Sequence, residues 1–144
     1  MAPRMNRALG IDPGSARIGL ALSDELRMLA HPLMNVTVDK AALAKICEVI
    51  TQKSVDTVVV GLPKNMDGSK GPAALKAEAF AEQLQQRVPK VKFVLWDERL
   101  TTVAAQRALH DAGRNVKQSR AVIDQVAAQL ILQGWLDSQS FLSL

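Results

Sequence analysis

Residues 9–24 read LGIDPGSARIGLALSD, two apolar runs separated by PGSA. Pro13 and Gly14 supply turn chemistry between runs of strand length, so residues 6–12 and 17–23 are predicted to pair as an antiparallel hairpin. One residue does not suit that reading. Asp12 closes the first run, although aspartate is depleted in strands and rarely buried without a partner. Either Asp12 is a turn residue that bonds its own backbone, or it carries chemistry.

PLMNVT (32–37) supplies a third strand that completes a meander. KAALAKICEVITQ (40–52) has apolar residues at helical spacing, with Asp39 as its expected N-cap. TVVVGL (57–62) is a continuous β-branched run, the pattern of a strand buried on both faces. A Gly/Pro/Asn/Asp loop, PKNMDGSKGP, follows it, then an amphipathic helix over 72–87 and a second buried strand, VKFVLW (91–96). Helices over 101–112 and 118–137 complete the chain, separated by GRNVKQ. The order β-β-β-α-β-α-β-α-α predicts a single α/β domain with a mixed five-stranded sheet, antiparallel through its first three strands and parallel afterwards.

The 144 residues suffice for one domain with a substantial core, and at 48% apolar and 22% charged they describe a globule rather than a disordered tail. Three Phe, two Trp and no Tyr argue against a single-strand binder built on stacked aromatic rings. Cys47, the one cysteine, excludes an internal disulfide, and it lies on an apolar stripe with Leu43, Ile46 and Ile50, as a packing residue would. No apolar run approaches a membrane span, and MAPRMNRALG lacks the apolar segment of a signal peptide, so a cytoplasmic protein is expected. The net charge of +4 is unevenly spread, and the last 24 residues hold no Lys or Arg. Such a surface suits a polyanionic partner, although solvated lysines explain it as well.

Three acids stand where this topology brings chain segments together. Asp12 closes the first strand, Asp97 and Glu98 close the last one in FVLWDERLTT, and Asp124 interrupts the apolar AVIDQVAAQLIL of the final helix. Ligands gather beyond the carboxyl ends of parallel strands in open α/β sheets. On its helix Asp124 shares a face with Ala127, Ala128 and Ile131, small enough in two places to approach the sheet closely. Local roles compete with this reading: a turn for Asp12, a cap or a pair with Arg99 for one acid of the DE dipeptide, and a pair with Arg120 for Asp124. Carboxylates that converge repel unless a cation joins them, and oxygen ligands without His or Cys select Mg²⁺ or Mn²⁺. Two such ions about 4 Å apart would support in-line hydrolysis of a phosphodiester.

Four blocks, GIDPGSARIGLALSD, VVVGLPKNMDGSKGP, WDERLTTVAAQRAL and VIDQVAAQLILQGWL, resemble in order and spacing those of the YqgF family, also called RuvX. The resemblance covers nearly the whole chain. It implies a ribonuclease H-like fold related to the Holliday-junction resolvase RuvC, and nuclease activity on the 5′ end of pre-16S rRNA or on four-way DNA junctions. It also implies an acidic triad of Asp12, the acid of the DER block and Asp124. Side-chain alternation along the strand puts Glu98 on the face of Trp96 and favours it as the middle acid, with Asp97 as the alternative. Gly14 either relieves the turn or admits a phosphate to the backbone. Arg17 and Arg99 are candidate phosphate contacts or surface ion-pair partners. Lys64, Asn65 and Lys70 sit in a long, mobile-looking loop where they are candidates to track a nucleic-acid backbone.

His31 and His110 lack metal-pair spacing, and Ser15, Ser23 and Ser119 lack a His/Asp constellation, so acyl transfer finds no support. DPGSARIG also looks like the phosphate-binding hairpin of sugar kinases, heat-shock ATPases and actin, but those bind ATP between two such domains and this chain supplies one. A ribosome-associated binding factor would keep the basic surface without needing three acids. The expectation is therefore a Mg²⁺- or Mn²⁺-dependent nuclease, with RNA as first substrate and branched DNA as second, and either a monomer or a homodimer. The apolar tail WLDSQSFLSL offers a dimer face unless it folds back on the core.

Overall fold

The computed structural model describes residues 6–100 and 119–142, with the side chains of the last helix described over 125–139. The opening hairpin forms as β1 (Arg7–Pro13) and β2 (Arg17–Ser23), paired antiparallel with Asp12 opposite Gly19. At the turn, the Gly14 N–H donates to the Asp12 carbonyl at 3.0 Å. A Cβ on Gly14 would fall on the Arg17 carbonyl oxygen, so only glycine closes this hairpin.

β3 (Ala30–Thr37) continues the meander and begins two residues earlier than its sequence suggests. The reason lies in the final helix, α3 (Ser119–Leu142). Gln133 accepts the Ala30 N–H at 2.8 Å and donates to the Met28 carbonyl at 3.0 Å, while Gln129 donates to the Ala30 carbonyl at 3.0 Å. Pro32 is tolerated because β3 is an edge strand with a register shift beside it.

α1 (Ala42–Gln52) starts later than expected, and Asp39 is not its N-cap. Ala41 holds that position, and Asp39 instead accepts the Ala41 N–H at 2.9 Å, closing the turn that precedes the helix. β4 (Val55–Leu62) runs parallel to β1, α2 (Pro72–Arg87) begins with proline in its first turn, and β5 (Lys92–Asp97) runs parallel to β4. β5 is an edge strand and not the buried one its apolar run predicts: Lys92 and Leu95 are exposed and its other residues are half-buried. A 3₁₀ turn, Glu98–Leu100, ends β5. The helix expected over 101–112, the GRNVKQ segment and His110 lie outside the described residues. The sheet order is β3-β2-β1-β4-β5, antiparallel first and parallel afterwards as expected.

The two faces of the sheet are built differently. Leu9, Ile11, Leu20, Val58 and Val60 meet Ile46 and Ile50 of α1 and Leu84 of α2, and Cys47 packs against this cluster as expected. On the other face β1 and β2 offer small residues, Ala8 and Gly10 with Ala21 paired to Gly10, and among the described residues α3 covers this face with Ala128, Ile131, Leu132, Trp135 and Leu136. The helix can lie low there. A Cβ on Gly10 would stand 2.7 Å from the Ala128 carbonyl oxygen and 2.6 Å from the Leu132 Cβ. Trp135 and Leu136 are thus buried against their own sheet, and the segment read as a tail continues the helix to Leu142. The side chains of Phe141 and Leu142 lie outside those described.

Candidate active site

Asp12 is the last residue but one of β1, and alternation puts it on the α3 face together with Ala8 and Gly10. Glu98 opens the turn after β5, beyond Trp96, whose ring packs in the α3 cluster. Between β1 and β5 lies β4, where Gly61 leaves its place on that face empty. Glu98 fills the space: its Oε1 lies 2.5 Å from where a Gly61 Cβ would be, beside the Cδ1 of Ile131. The carboxylate is therefore folded inward over bare backbone.

The electrostatics follow from that position. Burial, then the charge of Asp12, then that of Asp97, push the Glu98 carboxyl up from 4.5 to about 7. Asp97 is held in the opposite direction. It takes a forked pair from Arg99, Nε at 3.0 Å and Nη2 at 2.7 Å, and accepts the Arg99 backbone N–H at 2.9 Å. These bonds lower its pKa, with a further contribution from the charge of Lys64. Of the two acids in the DER block, Asp97 closes the turn and pairs with Arg99, while Glu98 faces Asp12.

The remaining predicted residues divide between this edge and the loop beside it. Arg17 begins β2 on the same face as Asp12, half-buried and two residues before Gly19. Asn35 lies opposite Gly19 on β3, so Asn35, Gly19 and Asp12 form a row across three strands. Asn35 escaped the sequence reading because only the strand register reveals its alignment. Arg99 is engaged by Asp97 and lies over Gly68, which takes a φ of +89°. The loop read as mobile is braced internally. Asn65 donates to the Ser69 hydroxyl at 2.9 Å, and Ser69 donates to Asp67 through its hydroxyl at 2.6 Å and its N–H at 2.9 Å. Asn65 thus shapes the loop, and Lys70 is tied to Glu78 of α2 at 2.6 Å. Gly14 serves the turn. His31 is exposed on the edge strand, as a surface histidine would be.

Asp124 lies in α3 one helical turn before Ala128, and its side chain is outside those described. Among the described residues no three His, Cys, Asp or Glu side chains form a group able to hold a metal ion. The described pair, Asp12 and Glu98, is a hard-oxygen set in which each charge destabilises the other, the condition that a divalent cation relieves. No described helix is long and apolar enough to cross a membrane.

Comparison with known proteins gives a consistent result. The RuvX family model, described as Holliday junction resolvase, matches residues 6–138. A protein of Nocardia farcinica named "Putative pre-16S rRNA nuclease" is 47% identical, covering 96% of this chain and 81% of its own length. One of Acetivibrio thermocellus with the same name is 45% identical, covering 92% and 96%. Among solved structures, Thermus thermophilus RuvC in complex with a Holliday junction substrate aligns with a TM-score of 0.59 at 15% identity, over 93% of this chain and 96% of its own. The fowlpox virus Holliday junction resolvase aligns at 0.55 and 13% identity, over 92% and 99%. These two likenesses speak for the fold, which is ribonuclease H-like. The family match over nearly the whole chain and relatives close to half identical carry the conclusion further: the chain belongs to the RuvX family.

Proposed function

We propose that this chain is a divalent-metal-dependent nuclease acting on RNA at the 5′ end of pre-16S rRNA. The observation that carries the reading is the pair Asp12 and Glu98, one carboxylate from β1 and one from the turn after β5, brought together at the carboxyl edge of the sheet, with Glu98 pushed up to about 7. Asp124 is the third member of the set, and helical spacing from Ala128 supports it. Mg²⁺ or Mn²⁺ bound by these acids would activate water and stabilise the leaving oxygen. Asp12 presents its carboxylate from a rigid strand, and Glu98 presents its own from a short turn fixed by the Asp97–Arg99 pair. Arg17 and Lys64 supply positive charge beside the acids for a phosphate backbone. The relatives' name favours RNA, and the single site that end-processing requires is met by a monomer in the cytoplasm.

The test is cleavage of labelled single-stranded RNA with a pre-16S 5′ leader, beside a mobile four-way DNA junction, in Mg²⁺ or Mn²⁺. RNA cleavage that chelation stops is expected. Paired symmetric cuts in the junction with the RNA intact would replace this substrate by branched DNA.

The Glu98 shift also fixes a pH dependence. Its carboxyl binds a proton more tightly in the folded protein, at about 7, than in an unfolded chain at 4.5. This contribution to metal-free stability is complete below the lower value and is lost as pH rises through the upper one. A divalent ion replaces the proton, so Mn²⁺ should raise the melting temperature more at pH 8 than at pH 6. Glu98→Gln should flatten both effects in a thermal melt series. Equal Mn²⁺ shifts at the two pH values would separate Glu98 from the metal.

A further inference from the structure

Gly61 sits next to the end of β4, paired in register with Trp96 of β5. Glu98 Oε1 and Ile131 Cδ1 each lie 2.5 Å from the position a Cβ would take there. Unbonded carbon atoms pack best at about 3.5–4.0 Å, so the carboxylate and the isoleucine methyl occupy the volume of the missing side chain. Glu98 enters it from the turn after β5, and Ile131 closes it from α3.

We propose that Gly61 is a positioning residue of the metal site: its missing side chain is the notch in which the Glu98 carboxylate lies, turned toward Asp12 and shut in by Ile131. The inference rests on the metal-nuclease reading. A comparison within the same sheet face shows why it is more than packing. At Gly10 the atoms in the way are a helix carbonyl and a Cβ, both fixed by backbone. At Gly61 they are the ends of two flexible side chains. An alanine at 61 is accommodated by turning Glu98 and Ile131 aside, which keeps the fold and moves the ligand. A residue that orients a metal ligand changes metal affinity by about 10- to 100-fold.

Calorimetric Mn²⁺ titration and metal-free thermal melts of the whole chain, for the parent, Gly61→Ala, Glu98→Gln and the double variant Gly61→Ala with Ile131→Val, provide the test. Gly61→Ala should bind Mn²⁺ about 10- to 100-fold more weakly while melting close to the parent. Ile131→Val removes the Cδ1 atom, so the double variant should regain any melting temperature lost, yet still bind Mn²⁺ weakly because Glu98 remains displaced. Recovery of both by Ile131→Val would reduce Gly61 to a packing role. Gly61→Ala binding like the parent while Glu98→Gln is impaired would overturn the positioning role and leave the metal reading intact. Glu98→Gln binding like the parent would remove the metal reading and this inference with it. A double variant that does not fold would also overturn it, since the strand would then be rejecting the methyl itself.

Discussion

Asp12→Asn is expected to yield a folded protein that binds RNA and does not cut it. The substitution keeps the size of the side chain on β1 and removes one negative charge from the coupled pair. Losing a residue that merely orients a metal ligand costs about 10- to 100-fold, so losing a proposed ligand should lower cleavage by more than about 100-fold. Folding should not suffer, because Asp12 is among the charges that push Glu98 upward, and neutralising it relieves that repulsion. RNA affinity should stay close to the parent's, since Arg17 and Lys64 are untouched. Asp97→Asn is the matched control. It loosens the turn that presents Glu98 without removing a proposed ligand, so it should lower cleavage by about 10-fold, less than Asp12→Asn does. Asp12→Asn cutting as well as the parent would end the acidic-triad mechanism, and a parent that binds RNA without cutting it would point to a binding factor.

Much of this arrangement is legible in the sequence, and the portions that are not share a cause. The hairpin, the buried β4 and α2 follow from apolar periodicity and turn residues, whose effects are local, whereas the apolar run of β5 reads as a buried strand and stands at the sheet edge. Asp12 stands out because a carboxylate at the end of an apolar run conflicts with its surroundings. Alternation from Trp96 favours Glu98 over Asp97, and the forked pair with Arg99 gives Asp97 a structural role. Other features depend on segments distant in sequence. The ion pair of Lys70 with Glu78 forms only once α2 is in place. Ala30 joins β3 because two glutamines from α3 satisfy its backbone. Gly10 and Gly61 are the clearest cases. A glycine inside a strand reads as a weak point, and nothing local reveals that a helix or a carboxylate must pass through the space it leaves.

Gly10→Ala should therefore be costly in stability as well as in activity. The new methyl would meet the Ala128 carbonyl oxygen at 2.7 Å and the Leu132 Cβ at 2.6 Å. Neither atom can turn away without moving α3. Overpacking of this kind costs about 1–3 kcal/mol, while alanine regains about 0.4–1 kcal/mol by restricting the unfolded chain. Mid-range values leave a net loss of about 1.3 kcal/mol, which would lower the melting temperature by about 4 °C for a chain of this size. Trimming Leu132 to alanine should bring no rescue, because the obstructing Cβ and the backbone oxygen both remain. The helix that must lift off the sheet also carries Asp124, one turn before Ala128. Cleavage at 20 °C, well below the melt, should consequently fall at least about tenfold, further than the loss of folded protein explains. Gly61→Ala should show the reverse balance, keeping its melting temperature and binding Mn²⁺ more weakly. A Gly10→Ala protein with parental melting temperature and cleavage would mean that the closeness of α3 to β1 is not what sets the spacing of the acids.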